Sequence, residues 1–359
     1  MILELIKVDY IFHESGDLMF EKDLIAVEIG HEYIKILSGS KNKIKCCGSI
    51  KTPEEAFVKE NILNIQRLAK AISEFLKENN ITTKRISFTV HGEDIVVRHI
   101  ETPIMDSKGI IKSLQWEISQ YLPNEGENYY TDYEIIDKIN TKEKKVYKVM
   151  VVSAPKEKID KYVELAKKLN LKLEAIDIAP NNISKVFRNV HKLKKEIQSI
   201  GIIHIDHYNS NFTILENGRL FIERTIPFGI NNVADIMYPF AKSRPEESAK
   251  NFLRVFNFYV QEESTVDVAI KGLFDQALYS FEKIIQFYTT GKTNKSLDMI
   301  YVIGEGAEIK GIDNYIQEYF STTVEIVDSA EEIGIKTKLP ENCSFKYYVN
   351  SIGLLLRKE

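Results

Sequence analysis

The run "GIIHIDHYNSNFTILENGRLFIERTIPFG", Gly201 to Gly229, limits the possible folds of this chain more than any other stretch. An apolar strand, a polar turn, a second strand, the pair Asn217-Gly218 and a third strand follow one another. Asn-Gly between apolar runs is a strong hairpin signal, because both residues accept the positive φ of a tight turn. A similar series stands near the start, as "LIAVEIG", "EYIKILSG" and "KIKCCGSI". Two three-strand meanders, each followed by alternating helices and strands, predict an α/β architecture with a duplicated topology.

The 359 residues are enough for two domains with sizeable cores. Basic and acidic residues nearly cancel, 48 against 52, which speaks against nucleic acid as a partner. Cys46, Cys47 and Cys343 lack metal-ligand spacing, so neither a disulfide framework nor a zinc site is expected. No apolar run is long enough for a bilayer, and the N-terminus lacks a basic start and a cleavage site. The chain is therefore expected in the cytoplasm, without direct membrane insertion.

Leu63, Ile65, Leu68, Ala69, Ile72, Phe75 and Leu76 recur at helical spacing, and Asn79-Asn80 closes that helix. "RISFTV" and "IVVRHIE" flank His91-Gly92-Glu93-Asp94, which reads as a hairpin. Asp106 or Ser107 caps a helix whose Ile110, Ile111, Leu114, Ile118, Tyr121 and Leu122 form one apolar stripe, stopped by Pro123. Trp116, the single tryptophan, points away from that stripe. It either packs under a neighbouring loop or anchors a partner, tryptophan being enriched at binding hot spots. Strands at "YYTDYEIID", "YKVMVVSA" and "KLEAIDI", helices around Ile159 to Leu169 and after Pro180, a helix opening at Arg244-Pro245, and a long helix from Val268 to Tyr288 follow.

Three turns stand in order, "AVEIGHEYIK", "IIHIDHYNSNF" and "IYVIGEGAEIKG", and together they resemble the two phosphate loops and the adenosine loop of actin-like ATPases. The blocks "VHGEDIVVRHIETPIMDSKGIIKSLQWEISQYLPNEGENYYTDYEII", "APKEKIDKYVELAKKLNLKLEAIDIAP", "NGRLFIERTIPFG" and "GLLLR" resemble the PilM family of type IV pilus assembly proteins, itself similar to the cell-division protein FtsA. The resemblance covers about Leu24 to Arg357. It implies an actin-like (RNase H-like) two-lobed fold, the lobes facing each other across a cleft, with an inserted subdomain of the FtsA and PilM type. The first lobe core would comprise residues 23–84, 181–199 and the C-terminal helix 345–359, the inserted subdomain 85–180 and the second lobe 200–344, with 1–22 an extension of unassigned role. It also implies a partner: the short cytoplasmic tail of the membrane protein PilN, held beside the inserted subdomain. Arg98, Trp116, Gln120 and Tyr121 are the candidate groove residues.

The resemblance places a nucleotide site on Glu28, Gly30, Lys35, Asp206, Gly304, Gly306 and Ala307, with Glu28 and Asp206 as candidate magnesium ligands. The family's first loop reads Asp-x-Gly followed by small residues; here it is Glu28-Ile29-Gly30-His31-Glu32, and Lys35 either matches a family lysine that reaches a phosphate or is a solvated strand lysine. Without a gap, the second Asp-x-Gly falls on His204-Ile205-Asp206; a shift of two residues makes Asp206 the metal-side acid but puts Tyr208 at the glycine. In the first alignment Asp206 meets phosphate oxygens. Like charges about 4 Å apart repel by roughly 4 kcal/mol at an effective dielectric of 20, which weakens binding several hundredfold. Glu305 stands between Gly304 and Gly306 where the family leaves space. All three loops depart toward bulk and negative charge, so ATP and magnesium are expected to bind weakly or not at all, and no residue reads as a catalytic base.

The leading expectation is thus a scaffold of the pilus, or of a related type II secretion machine, working with PilN-type tails and motor components. It would sit at the inner face of the cell membrane through those partners. An active ATPase, FtsA-like or kinase-like, is the alternative; self-association is left open by a single sequence.

Overall fold

The computed structural model describes residues 23–122, 126–141, 143–241 (the backbone alone for 237–241), 253, 256–259, 264–290 and 296–357. The extension 1–22, the helix expected to open at Arg244 and the stop at Pro123 lie outside these residues. Two compact units form: 23–41 with 46–179 and 354–357, and 42–45 with 180–353.

In the first unit, β1 (Leu24–Ile29), β2 (Tyr33–Gly39) and β3 (Ile44–Lys51) are followed by a short hairpin of β4 (Phe57–Val58) and β5 (Asn61–Ile62), then by α1 (Ile65–Glu78) and β6 (Arg85–Val90). With β10 (Lys172–Ile178) they build a five-stranded sheet in the order β10-β6-β1-β2-β3. β1 runs antiparallel to β2 and parallel to β6, and β10 runs parallel to β6. A central strand covered on both faces reads as a continuous apolar run, and Ile25, Ala26, Val27 and Ile29 are all buried. Glu28 is the polar exception, buried at the end of that run.

Helix α1 begins at Asn64, whose side chain accepts the Arg67 amide (3.1 Å). It ends at the expected asparagine pair. Asn80 takes a left-handed conformation (φ 53°), and the Ile81 amide donates back to the Leu76 carbonyl at 2.9 Å, a Schellman closure. Helix α3 (Lys156–Lys168) closes the same way at Asn170, with Leu171 donating to Ala166 at 3.1 Å. The two helices are neighbours, and Leu68, Ile72 and Phe75 on one and Ile159, Tyr162 and Leu165 on the other are buried.

The hairpin expected across His91 to Asp94 does not form. Both edges of β6 are already paired, with β1 and β10, so no edge remains for β7 (Val96–Pro103). β7 instead pairs antiparallel with β9 (Lys145–Pro155), which also pairs with β8 (Tyr129–Asn140), in a separate three-stranded sheet of order β7-β9-β8. His91 to Asp94 is therefore the exit from the large sheet into an inserted module. Across the small sheet lies α2 (Ser107–Ser119), capped by Asp106, which accepts the Gly109 amide at 2.9 Å. Of the predicted stripe, Ile110, Leu114, Ile118 and Leu122 are buried with Ile100, Val149 and Val151, whereas Ile111 is only half-buried and Tyr121 is 56% exposed. Trp116 is 71% exposed, so the reading in which it packs under a loop does not hold.

The second unit repeats the arrangement. β11 (Ser199–Ile205), β12 (Ser210–Glu216), β13 (Arg219–Ile226), β14 (Met299–Gly304) and β15 (Val324–Ile326) order as β13-β12-β11-β14-β15, with the meander antiparallel and β14 and β15 parallel to β11's direction. The hairpin turn at Asn217 and Gly218 has φ of 52° and 72°, as the sequence requires. The helix Thr265–Thr289, started by a capping box of Ser264 and Asp267, covers one face. Phe281 meets Phe212 and Phe274 meets Phe228, ring centroids 5.3 and 5.0 Å apart. In the closing helix Val349–Leu355, Gly353 lies so near the helix Ala179–Phe187 that a Cβ there would stand 2.4 Å from the Asn182 carbonyl oxygen. Among the described residues no helix is long and apolar enough to cross a membrane.

The contrast between the two sides of α2 is directly measurable. Leu114, 1% exposed, is expected to cost about 2–5 kcal/mol when replaced by alanine. Trp116→Ala is expected to change unfolding free energy by no more than about 0.5 kcal/mol; urea denaturation of both variants checks this.

Candidate functional site

Between the paired residues Ile29 and Ile34, Gly30 to Tyr33 make the turn from β1 into β2. The Gly30 amide donates to the Tyr33 carbonyl at 2.9 Å, and a Cβ on Gly30 would stand 2.9 Å from that same oxygen. Thr52 straps the turn from β3's end: its hydroxyl donates to the Gly30 carbonyl (2.8 Å) and its amide to the Glu32 carbonyl (2.9 Å). Glu28 and Lys35 are cross-strand neighbours, both buried. The Glu28 carboxylate also meets His91 Nε2 at 3.0 Å. His91 is placed by α3, where the buried Lys158 ammonium donates to the His91 carbonyl (3.0 Å) and to Asp94 Oδ1 (2.5 Å). Gly92, at φ 148°, keeps this crossing open, since a Cβ would fall 2.1 Å from Lys158 Nζ. Burial, reinforced by the negative charges of Glu60, Glu28 and Asp94, holds the Tyr162 hydroxyl far above its ordinary pKa.

The turn between β11 and β12 has the same length and the same closure. The Asp206 amide donates to the Asn209 carbonyl at 3.1 Å, as Gly30 does to Tyr33. Strand ends match as well, Ile29 pairing with Ile34 and Ile205 with Ser210. The ungapped correspondence is the one the two turns share: Asp206 stands at the position of Gly30, His204 at that of Glu28 and Asn211 at that of Lys35. Asn211 is held by Glu223 (2.7 Å) and Thr225 (2.6 Å) on β13.

Beyond β13 a helix, Ile230–Ala241, points its N-terminus at this turn. The Ile230 and Asn231 amides donate to the carbonyls of Asp206 (3.1 Å) and His207 (2.9 Å), and Asn232 Oδ1 takes the Gly229 amide (2.8 Å). A helix N-terminus offers an anion its unused amides; here the turn's own carbonyls take them.

At the end of β14, Gly304 adopts φ 84°, and a Cβ there would stand 2.5 Å from both His204 Cδ2 and the Ile205 carbonyl oxygen. His204, buried, thus packs into the space that glycine leaves. Gly306 is held bare by Ile205, whose Cβ would lie 2.5 Å from an added one. Glu305 turns inward: its carboxylate meets His207 Nδ1 at 3.0 Å and the Tyr347 hydroxyl at 3.4 Å. This ties the turn after β11 to the turn after β14. Ala307 is buried in the same short helical turn.

Of the predicted nucleotide residues, Glu28, Gly30 and Lys35 cluster in the first unit, and Asp206, Gly304, Gly306 and Ala307 in the second. His91, Lys158, His207 and Tyr347 were not singled out as site residues by sequence reasoning. The signal for His91 is its place just past β6, whose Thr89 is the parallel neighbour of Glu28. His207 and Glu305 are too far apart in sequence for spacing to pair them. Of the predicted partner residues, Arg98, Trp116, Gln120 and Tyr121 are all exposed on the inserted module. The Arg98 guanidinium lies over the Tyr121 ring, 5.1 Å from its centroid, and Trp116 and Gln120 are one helical turn apart.

Two sheets of matched order with hairpin turns at equivalent strand ends define the actin-like fold, here with a module inserted after β6. Residues 26–359 match the family described as type IV pilus assembly protein PilM, and the chain belongs to that family. A solved structure described as a PilM–PilN type IV pilus biogenesis complex is similar at TM-score 0.78 and 17% identity, over 94% of this chain and 98% of that one. The ethanolamine utilization protein EutJ from Carboxydothermus hydrogenoformans is similar at TM-score 0.52 and 10% identity, over 95% of this chain and 92% of that one. MreB5 of Spiroplasma citri bound to ADP is similar at TM-score 0.49 and 10% identity, over 87% and 94%.

The His207 and Glu305 pair is expected to act as a unit. His207→Ala leaves the buried Glu305 carboxylate with only the Tyr347 hydroxyl and is expected to cost about 1–3 kcal/mol, whereas His207→Ala combined with Glu305→Ala costs less than the sum of the two. A double-mutant cycle by denaturation is expected to give a coupling of at least about 0.5 kcal/mol; additive losses would mean the pair does not hold the turns together.

Proposed function

We propose that this chain is an actin-like scaffold at the cytoplasmic face of the inner membrane, holding the N-terminal tail of a PilN-type membrane protein in type IV pilus assembly or a related type II secretion machine. Family membership supports the setting, and the similar solved structure is described as a complex of PilM with PilN. The observation that carries the reading for this chain is Trp116. A large apolar side chain 71% exposed, one turn from Gln120 and on the same module as the Arg98 and Tyr121 pair, is the composition of a binding hot spot. β7, which carries Arg98, is an edge strand of its sheet. An extended tail of about ten residues adds main-chain hydrogen bonds to such an edge and sets alternate side chains against Trp116 and Tyr121. Motor components of the machine would act on the same scaffold.

The residues present fit a magnesium-bound triphosphate poorly, and we read the nucleotide site as weak or lost. The amides of Gly30 and Asp206 are spent on carbonyls of their own turns, and those of Ile230 and Asn231 on carbonyls of the turn after β11. Glu28, the acid on the metal side, is engaged by His91, and Asp206 brings a negative charge to the glycine position. Against this, Gly304, Gly306 and Ala307 keep the bare turn after β14 and Lys35 stays beside Glu28, which favours the second reading, a nucleotide-binding ATPase.

Calorimetry separates the readings. A synthetic tail from the PilN-type partner of the same organism is expected to bind, and Trp116→Ala or Arg98→Ala to weaken it by at least about tenfold, or 1.4 kcal/mol. Unchanged affinity in both variants removes this surface from the site. Magnesium ATP is expected to give no micromolar binding; micromolar affinity with steady phosphate release would establish the ATPase.

A further inference from the structure

The acid excess of this chain is concentrated in one stretch. Residues 264–330 hold ten acidic and five basic side chains, so the chain's entire net charge of −4 is accounted for within it. The stretch includes the helix Thr265–Thr289 and, beside it, the helix Ile312–Phe320. Where the two helices meet, phenol rings and carboxylates stand together. Tyr315 donates its hydroxyl to Asp275, and Tyr319, one turn further on, reaches Glu282 at 3.5 Å, about two turns further along the long helix. Between Asp275 and Glu282 stands Tyr279, 54% exposed, and Tyr319 is 38% exposed. Partial burial, then the Glu282 and Asp275 charges, push the Tyr319 hydroxyl above its ordinary pKa, so it stays a donor.

This composition suits a cation. The face of a phenol ring attracts positive charge. An ionised carboxylate can accept about four hydrogen bonds, so Asp275, with the Tyr315 hydroxyl, and Glu282, with Tyr319 and Gln286 (3.3 Å), keep acceptor capacity. The chain itself already sets a cation here: the exposed Lys283 lays its ammonium over the Tyr279 ring, 4.4 Å from the centroid. A guanidinium fits the surroundings better than an ammonium does. It is planar, stacks on a ring, and presents a fork of donors to carboxylates at its edge. Nucleic acid and anionic lipid carry the wrong charge for this face, which leaves a basic stretch of polypeptide as the occupant.

We propose that the Tyr279 face of the second unit takes an arginine-bearing basic segment of a partner protein, a guanidinium displacing Lys283 from the ring and pairing with Asp275 or Glu282. The proposal is independent of tail binding, which involves the inserted module in the other unit. Calorimetry on the full chain at low salt, with an octapeptide of alternating arginine and serine, tests it. The peptide is expected to bind, and its counterpart with lysine for arginine to bind at least about threefold more weakly. Tyr279→Ala is expected to weaken the arginine peptide by at least about threefold, the smaller end of a cation–aromatic contact, without lowering the thermal midpoint, since the ring is exposed. Lys283→Ala removes the resident cation and is expected to tighten binding by at least about twofold. Lys310→Ala, at another exposed lysine of the same unit, makes the same change in net charge and is expected to tighten it less. No binding at low salt, equal affinity for the two peptides, or undiminished affinity in Tyr279→Ala overturns the proposal. Equal tightening by Lys283→Ala and Lys310→Ala also overturns it, because net charge alone would then explain the attraction.

Discussion

The hydrogen bond from His207 to Glu305 joins the ends of β11 and β14, and the functional reading of the second unit depends on it. In a sheet of parallel neighbours, the ends of adjacent strands are where a ligand is held. Here that place is bridged by the chain itself. Glu305, which by sequence stands in the adenosine loop where the family leaves space, is folded back onto an imidazole and a tyrosine hydroxyl. The adjoining helix N-terminus is likewise turned inward, its first amides given to Asp206 and His207 carbonyls. Each interaction is modest alone, about 1 kcal/mol net for a neutral hydrogen bond. Together they commit the amides of Asp206, Ile230 and Asn231 to carbonyls within the chain.

In the first unit, too, a buried acid is met from within the chain. Glu28 keeps its place and its burial, but His91 meets it, and His91 is in turn placed by Lys158 from α3. Because His91 to Asp94 is also the connection into the inserted module, the polar core of the large sheet and the strand carrying Arg98 are joined by a short stretch of backbone. The strand that carries the proposed partner surface is thereby tied to the large sheet by interactions within the chain.

Much of this was legible in the sequence. Helical spacing placed α1, the stripe of α2 and the long helix Thr265–Thr289, while Asn79-Asn80 marked the end of α1 and Asn217-Gly218 the hairpin between β12 and β13, because asparagine and glycine tolerate positive φ. The duplicated strand order followed from two meanders and their parallel successors. What failed was the hairpin at His91, since adjacent strand-like runs read as partners unless one knows that both edges of the first are taken. The pairing of His207 with Glu305 and of Glu28 with His91 was also out of reach, because residues that meet at strand ends are separated by whole helices in sequence. Trp116 was recognised as an off-stripe residue, but its exposure became plain only once the neighbouring elements were in place.

Hydrogen–deuterium exchange of the full chain, with and without the partner tail and with and without magnesium ATP, addresses the central claim most directly. The account predicts slowed exchange over 96–121 on adding the tail, and no change over 28–33, 206–209 and 304–307 on adding nucleotide. Protection of those three turns by magnesium ATP, with 96–121 unaffected by the tail, would contradict it.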